Sequence, residues 1–348
     1  MRLPRNAQLW FPGLADSWRR RLGEPPVTHV WLVITDHYEP YWAKPTPAVA
    51  AGRVARWMDA WPKIAGRHRD AYGRPPQYSF FYPQEEYDRA LLSQLADLAH
   101  AGIADVEVHL HHDGEGEADF RERISTFTRT LHDVHGLLRL RNGLPSFAFI
   151  HGNWALDNSH PSGKWCGLNN ELSILQELGC YADFTMPAAP SPCQTRLVNS
   201  IYRAIDDPAR PKSHDTGIAV KPGDGLQPGL LMIQGPLTVR RHQRKWWIPS
   251  VEVAELGKVD PATPHRVRRW LAAAPQVGGH QFIKLHTHGA QEAIMDTLLT
   301  GGLDNLFNML DSECRRRGLP LGYLTAHQCA NAIETLALGQ DPVPGITG

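Results

Sequence analysis

Long apolar runs are missing from this 348-residue chain. None approaches the roughly 20 residues a membrane-spanning helix needs, so no membrane span is expected. Net charge is missing too. The 36 basic and 36 acidic side chains cancel, which leaves no electrostatic footprint for nucleic acid or an anionic membrane surface. Cysteine is scarce, and the five present (Cys166, Cys180, Cys193, Cys314, Cys329) are odd in number without CxxC spacing. A disulfide framework is therefore not expected, and a reducing compartment is the simpler assumption. The N-terminal stretch has no continuous apolar segment of the secretory type, so the expected location is cytoplasmic. Nothing in the sequence speaks to oligomeric state.

What the chain has in excess is histidine, at 18 residues against 10 phenylalanines. Residues 106–113, VEVHLHHD, form a β-type run that ends in three histidines and an aspartate. Residues two apart on a strand share a face, so His109 and His111 are expected to project together. Imidazole and carboxylate are ordinary ligands of zinc and similar divalent ions, which makes the stretch a candidate for a hydrolytic metal site.

Apolar strand-like runs alternate with helical patterns along the chain. Strands are expected at His29–Thr35, Tyr78–Tyr82, Asp105–His111, Ser146–Ile150, Tyr181–Thr185, Leu230–Gln234, Gln281–His286 and Leu321–Thr325. Helical spacing marks Glu85–Ala101, Leu168–Leu178, Val267–Ala274, Ala290–Leu299 and Ala326–Leu338. Repeated βα units of this number predict an α/β protein with a parallel sheet closed into a barrel, one catalytic domain over residues 1–348. Residues 187–261 hold ten prolines and break the rhythm, reading as a Pro-rich insertion on the barrel rim with one or two strands. Its basic aromatic piece, Arg240–Trp247, reads either as a binding lip or as a solvated edge.

Ionisable residues collect at one end of nearly every expected strand. Asp36, His37 and Glu39 follow the first, Glu85 and Glu86 the second, and His111, His112 and Asp113 the third. His151, Asn153 and Trp154 follow the fourth, Asp183 sits within the fifth, and His286, His288 and His327 close the last two. Active sites of α/β barrels are built at the C-terminal ends of strands, so this one-sided placement points to a convergent polar site.

The order of these pieces resembles the NodB-homology polysaccharide deacetylases, the carbohydrate esterase family 4 group. The likeness spans about residues 28 to 330, interrupted by the Pro-rich segment. Ile34-Thr35-Asp36-His37 stands where that family carries TFDD, which implies Asp36 as base and puts His37 in the place of the metal-binding aspartate, with Glu39 as a second candidate. His109 matches the first histidine of the family's next motif; Asp113 occupies the position of the second, and His111 or His112 could replace it. Leu285-His286 matches the strand end that carries the catalytic acid.

The resemblance implies an irregular (β/α) barrel of seven or eight units. It also implies one divalent metal, zinc first with cobalt, nickel, manganese or iron as substitutes, and a carbohydrate or acylated amino-sugar substrate. The metal candidates are His37, His109, His111 and Asp113, and the substrate-contact candidates are Glu85, His151, Asn153, Trp154, Asp183 and His288. The implied reaction is deacylation: metal-activated water attacks an amide or ester, Asp36 takes a proton, and His286 protonates the leaving group. Two rivals stand beside it. One is a multi-metal hydrolase of the PHP or amidohydrolase type, and the other a non-catalytic glycan-binding barrel.

Overall fold

All eight apolar runs fold as strands. In the computed structural model, which describes residues 4–241 and 249–343, they are β1 (His29–His37), β2 (Tyr78–Pro83), β3 (Ala104–Leu110) and β4 (Leu144–His151). The remaining four are β5 (Cys180–Asp183), β6 (Leu230–Ile233), β7 (His280–Thr287) and β8 (Leu321–Leu324). Every pairing among them is parallel, in the order β7-β1-β2-β3-β4-β5-β6, with β8 also on β1. Val30–Val33 of β1 pair with β8 and Thr35–His37 pair with β2. The protein is thus a mixed α/β molecule built on a large, mostly parallel sheet.

Helices fill the connections: α1 (Ala7–Arg21), α2 (Pro47–Arg67), α3 (Arg89–His100), α4 (Glu117–Asp133), α5 (Glu171–Glu177), α6 (Pro264–Ala273), α7 (Glu292–Thr297), α8 (Leu303–Arg317) and α9 (Ala326–Ala337). Capping explains two of their boundaries. The Asp88 carboxylate accepts from the backbone N–H groups of Ala90 and Leu91, so α3 starts after the single turn Gln84–Glu86 rather than at Glu85. Thr325 and Gln328 form a capping box that sets α9 immediately behind β8.

Strand alternation sorts apolar side chains into two layers. Val30, Leu32 and Ile34 of β1 and Val106, Val108 and Leu110 of β3 pack with Val54 and Trp57 of α2, Leu92 of α3 and Phe120 of α4. Trp31, Val33, Phe81, Ile150, Ile233, Phe282 and Leu324 form the layer on the opposite face. All five cysteines are buried and unpaired. Among the described residues no helix is long and apolar enough to cross a membrane.

The Pro-rich segment differs from expectation. Its described residues carry six strands rather than one or two, and β6 and Glu255–Leu256 among them join the main sheet in parallel register. Prolines sit mostly in its turns, so they punctuate short strands without preventing them. Of the Arg240–Trp247 piece, residues 242–247 lie outside the described residues; Arg240 pairs with Glu252 and Asp260.

Candidate metal centre

Parallel strands bring their C-terminal ends to one edge of the sheet, and the histidines stand there. His109, the penultimate residue of β3, is fully buried. Its Nδ1 lies 3.0 Å from the Ile150 carbonyl oxygen, which aims Nε2 at Glu39 Oε1, 3.3 Å away. His111 Nε2 lies 3.3 Å from that same oxygen. On its other side, His111 Nδ1 is 2.5 Å from Glu85 Oε1, which also accepts the His111 backbone N–H at 3.1 Å. Both imidazoles thus hold a carbonyl or carboxylate on one nitrogen and turn the other inward, the arrangement that orients histidine for a metal.

The spacing fits an ion as well. Tetrahedral bonds of about 2.1 Å to nitrogen and oxygen separate neighbouring donors by about 3.4 Å. The two edges that meet at Glu39 Oε1 have nearly that length, and one donor atom from each of Glu39, His109 and His111 lies within 4.8 Å of the others. Burial opposes the Glu39 charge, but the two imidazoles outweigh it and hold the carboxyl well below its ordinary range. Burial likewise opposes a charged His111, yet the flanking Glu39 and Glu85 push its pKa up to about 10. Positive charge at this point is strongly favoured. The His111 side chain remains 34% exposed, so the cluster opens to solvent.

A ring of further side chains surrounds this triad. The His37 ring centroid is 4.9 Å from that of His109, 4.8 Å from His288 and 6.3 Å from His286. Burial, then neighbouring imidazoles, hold His37 neutral, and burial followed by Lys284 does the same for His286. Nδ1 of each is buried without a hydrogen-bond partner. Trp154, at φ 57°, sets its ring 5.6 Å from His37 and 6.0 Å from His288.

Asp36 faces away from this ring. Its carboxylate accepts the Tyr78 hydroxyl at 2.8 Å and the Gly289 N–H at 2.6 Å. Burial pushes it up to about 7, against those two bonds. Asp36 therefore braces the loop that carries His288, and a Cβ on Gly289 would fall 2.1 Å from Asp36 Oδ2. A second close approach occurs at Gly152, where a Cβ would fall 2.3 Å from the His111 ring.

The remaining sequence candidates divide. Asp113 is not part of the Glu39 cluster: its Oδ1 accepts the Trp165 N–H at 2.5 Å, beyond the strand end. Both oxygens of Asp183 are engaged by Thr185, whose hydroxyl also accepts the His151 backbone N–H at 2.9 Å. The Asn153 N–H reaches His151 Nδ1 at 3.3 Å. His112 and His151 form a different group with Cys166 and Glu171, all four buried, with donor atoms within 4.8 Å of one another. Buried clusters of His, Cys and Glu in this protein could thus hold metal ions. Sequence reasoning missed Cys166 and Glu171 in this role, since a lone loop cysteine and a glutamate in the first turn of a helix carry no local mark of it. No family model matches the chain, and no curated protein matches it.

Proposed function

We propose that the protein is a metal-dependent deacylase acting on an acylated amino sugar or glycan precursor, with Glu39, His109 and His111 as ligands of one divalent ion, zinc first. The observation that carries this reading is the single Glu39 oxygen approached by two imidazoles, each fixed from behind by Ile150 O or Glu85. When bound, the ion supplies Lewis acidity and lowers the pKa of water at its open position.

The chain's own groups do the rest. Glu85 holds His111 in its ligating orientation, and Asp36 holds the His288 loop through Gly289. Proton transfer falls to His37 and His286, whose free Nδ1 atoms contrast with the engaged oxygens of Asp36. Trp154 beside His37 offers a flat apolar surface to a sugar ring. An irregular barrel belongs to the same proposal. Lys284 of β7 donates to the Phe184 and Met186 carbonyls just past β5, bringing strands from opposite parts of the sheet order together.

Hydrolysis of N-acetyl and N-formyl amino sugars, measured with and without chelator and with metal restored, tests the reading. Turnover abolished by chelation and recovered with zinc is expected; turnover indifferent to chelation overturns it. Five imidazoles, His37, His109, His111, His286 and His288, ring the centre, which favours one further reading: a two-ion hydrolase with His37 and His288 in a second ligand set. Zinc titration of Glu171→Gln, where the other cluster is disabled, separates one ion from two.

A further inference from the structure

We propose that His112, His151, Cys166 and Glu171 form a second divalent-metal site, closed and structural, that takes zinc and pins the 152–170 loop to the sheet. This site stands independently of the deacylase reading. Its donors come from four segments: the second residue past β3, the last residue of β4, the loop itself, and the first residue of α5. None of the four side chains has measurable exposure.

The geometry converges on the Glu171 carboxylate. Oε1 lies 2.9 Å from His112 Nε2 and 3.8 Å from His151 Nε2, and Oε2 lies 3.3 Å from Cys166 Sγ. Four protein donors with no place left for water are the signature of a structural zinc site, whereas catalytic sites keep a position open. Thiolate with imidazole selects zinc over magnesium or calcium. Charge also closes: a divalent ion, one carboxylate, one thiolate and two neutral imidazoles sum to zero, which suits a dry interior.

Two observations separate this from an ordinary buried hydrogen-bond network. Without an ion, His151 Nε2 is left buried with no hydrogen-bond partner, aimed at the cluster; on ligation there the ring's proton is carried on Nδ1, which gives up its long 3.3 Å contact with the Asn153 N–H. Cys166 Sγ accepts the N–H groups of Asn158 at 3.2 Å and Leu168 at 3.4 Å, donors that stabilise a thiolate. On binding, the Cys166 proton leaves to solvent as the metal–sulfur bond forms. His112 keeps its remaining proton on Nδ1, which faces Glu115 Oε2 at 3.9 Å.

The loop explains what such a staple is for. Residues 152–170 contain no helix or strand, and Trp154, Asp157, Asn158 and Trp165 all hold positive φ. A loop this long, with four strained non-glycine residues, needs an anchor. It carries Trp154 to the side of His37, so the closed site sets one wall of the open one.

Cobalt distinguishes the two sites, because the Glu39 cluster contains no sulfur. Cobalt-loaded protein is expected to show a thiolate-to-cobalt charge-transfer band that survives His109→Ala and disappears in Cys166→Ser. Should Cys166→Ser fail to fold, zinc-edge X-ray absorption on the wild-type protein decides. A sulfur neighbour at about 2.3 Å supports the proposal, and a shell of nitrogen and oxygen alone overturns it. A folded, cobalt-loaded wild type without the band, or a Cys166→Ser variant that keeps it, overturns it equally. Loss of sugar deacylation has no bearing on these readouts, so the two readings fail separately.

Discussion

His111 and His112 are consecutive residues, yet they serve clusters of opposite character. His111 joins Glu39 and His109 where the sheet edge meets solvent, and its side chain stays 34% exposed. His112 turns the other way, against Phe120 of α4 and Glu171 of α5, with none of its side chain exposed. Two histidines and a glutamate occur in both, but they make an open three-donor group on one face and, with Cys166 added, a sealed four-donor group on the other. Besides that sulfur, the number of donors and access to water set the two groups apart.

Four substitutions would break or sharpen that contrast. His109→Ala should have the largest effect, cutting deacylation by about 10³-fold or more, the several kcal/mol a Lewis-acid ion supplies. Its melting temperature should stay close to wild type, as turnover and calorimetry on one preparation would show. Glu171→Gln should do the reverse. It leaves a buried imidazole cluster without its countercharge, so unfolding in denaturant should show a loss of about 3–5 kcal/mol. Turnover number should change little, with KM rising as Trp154 loosens; equal loss of turnover in both variants would erase the distinction.

Glu85→Gln should weaken zinc at the open site by about 10–100-fold through poorer orientation of His111, with the cobalt–sulfur band unchanged. Competition with a chromophoric chelator would measure it. A pH test asks how dry the ground beneath the open cluster is. Burial, partly offset by Asp183, lowers the Lys284 pKa from 10.5 to about 7. Between those values the unfolded chain binds a proton that the folded one does not. Stability should therefore rise with pH across that window, by up to about 1.4 kcal/mol per unit, while below about 7 the cost is full and flat. Lys284→Met should remove that slope from stability measured against pH.

The sequence made the frame legible because strands announce themselves locally. The eight parallel strands β1–β8 coincide with apolar runs, since a buried parallel strand needs Val, Ile, Phe and Tyr on both faces, whereas the two-residue parallel strand Glu255–Leu256 went unforeseen. Polar residues crowding the strand ends pointed to one edge, and the structure gathers His37, His109, His111, His286 and His288 there. Helices were less complete. The α2 segment buries Val54, Trp57, Trp61 and Ile64 at helical spacing, but Pro62 in its interior reads locally as a stop. The choice among His111, His112 and Asp113 could not be made from spacing, because it depends on how the chain turns after β3. Glu171 lies 59 residues from His112, and only tertiary closure makes them neighbours.

Gly152 has no charge, no side-chain donor and no place in either ligand set, but its missing Cβ is what gives the His111 ring room. A saturation library scored for activity should find position 152 about as intolerant as the histidines. Alanine there would already push the His111 ring aside while leaving every polar residue intact. Maps of tolerance that sort positions by chemical type would file it with turn glycines. Its real constraint is occupancy of space, and engineering this site for a larger substrate has to leave that residue alone.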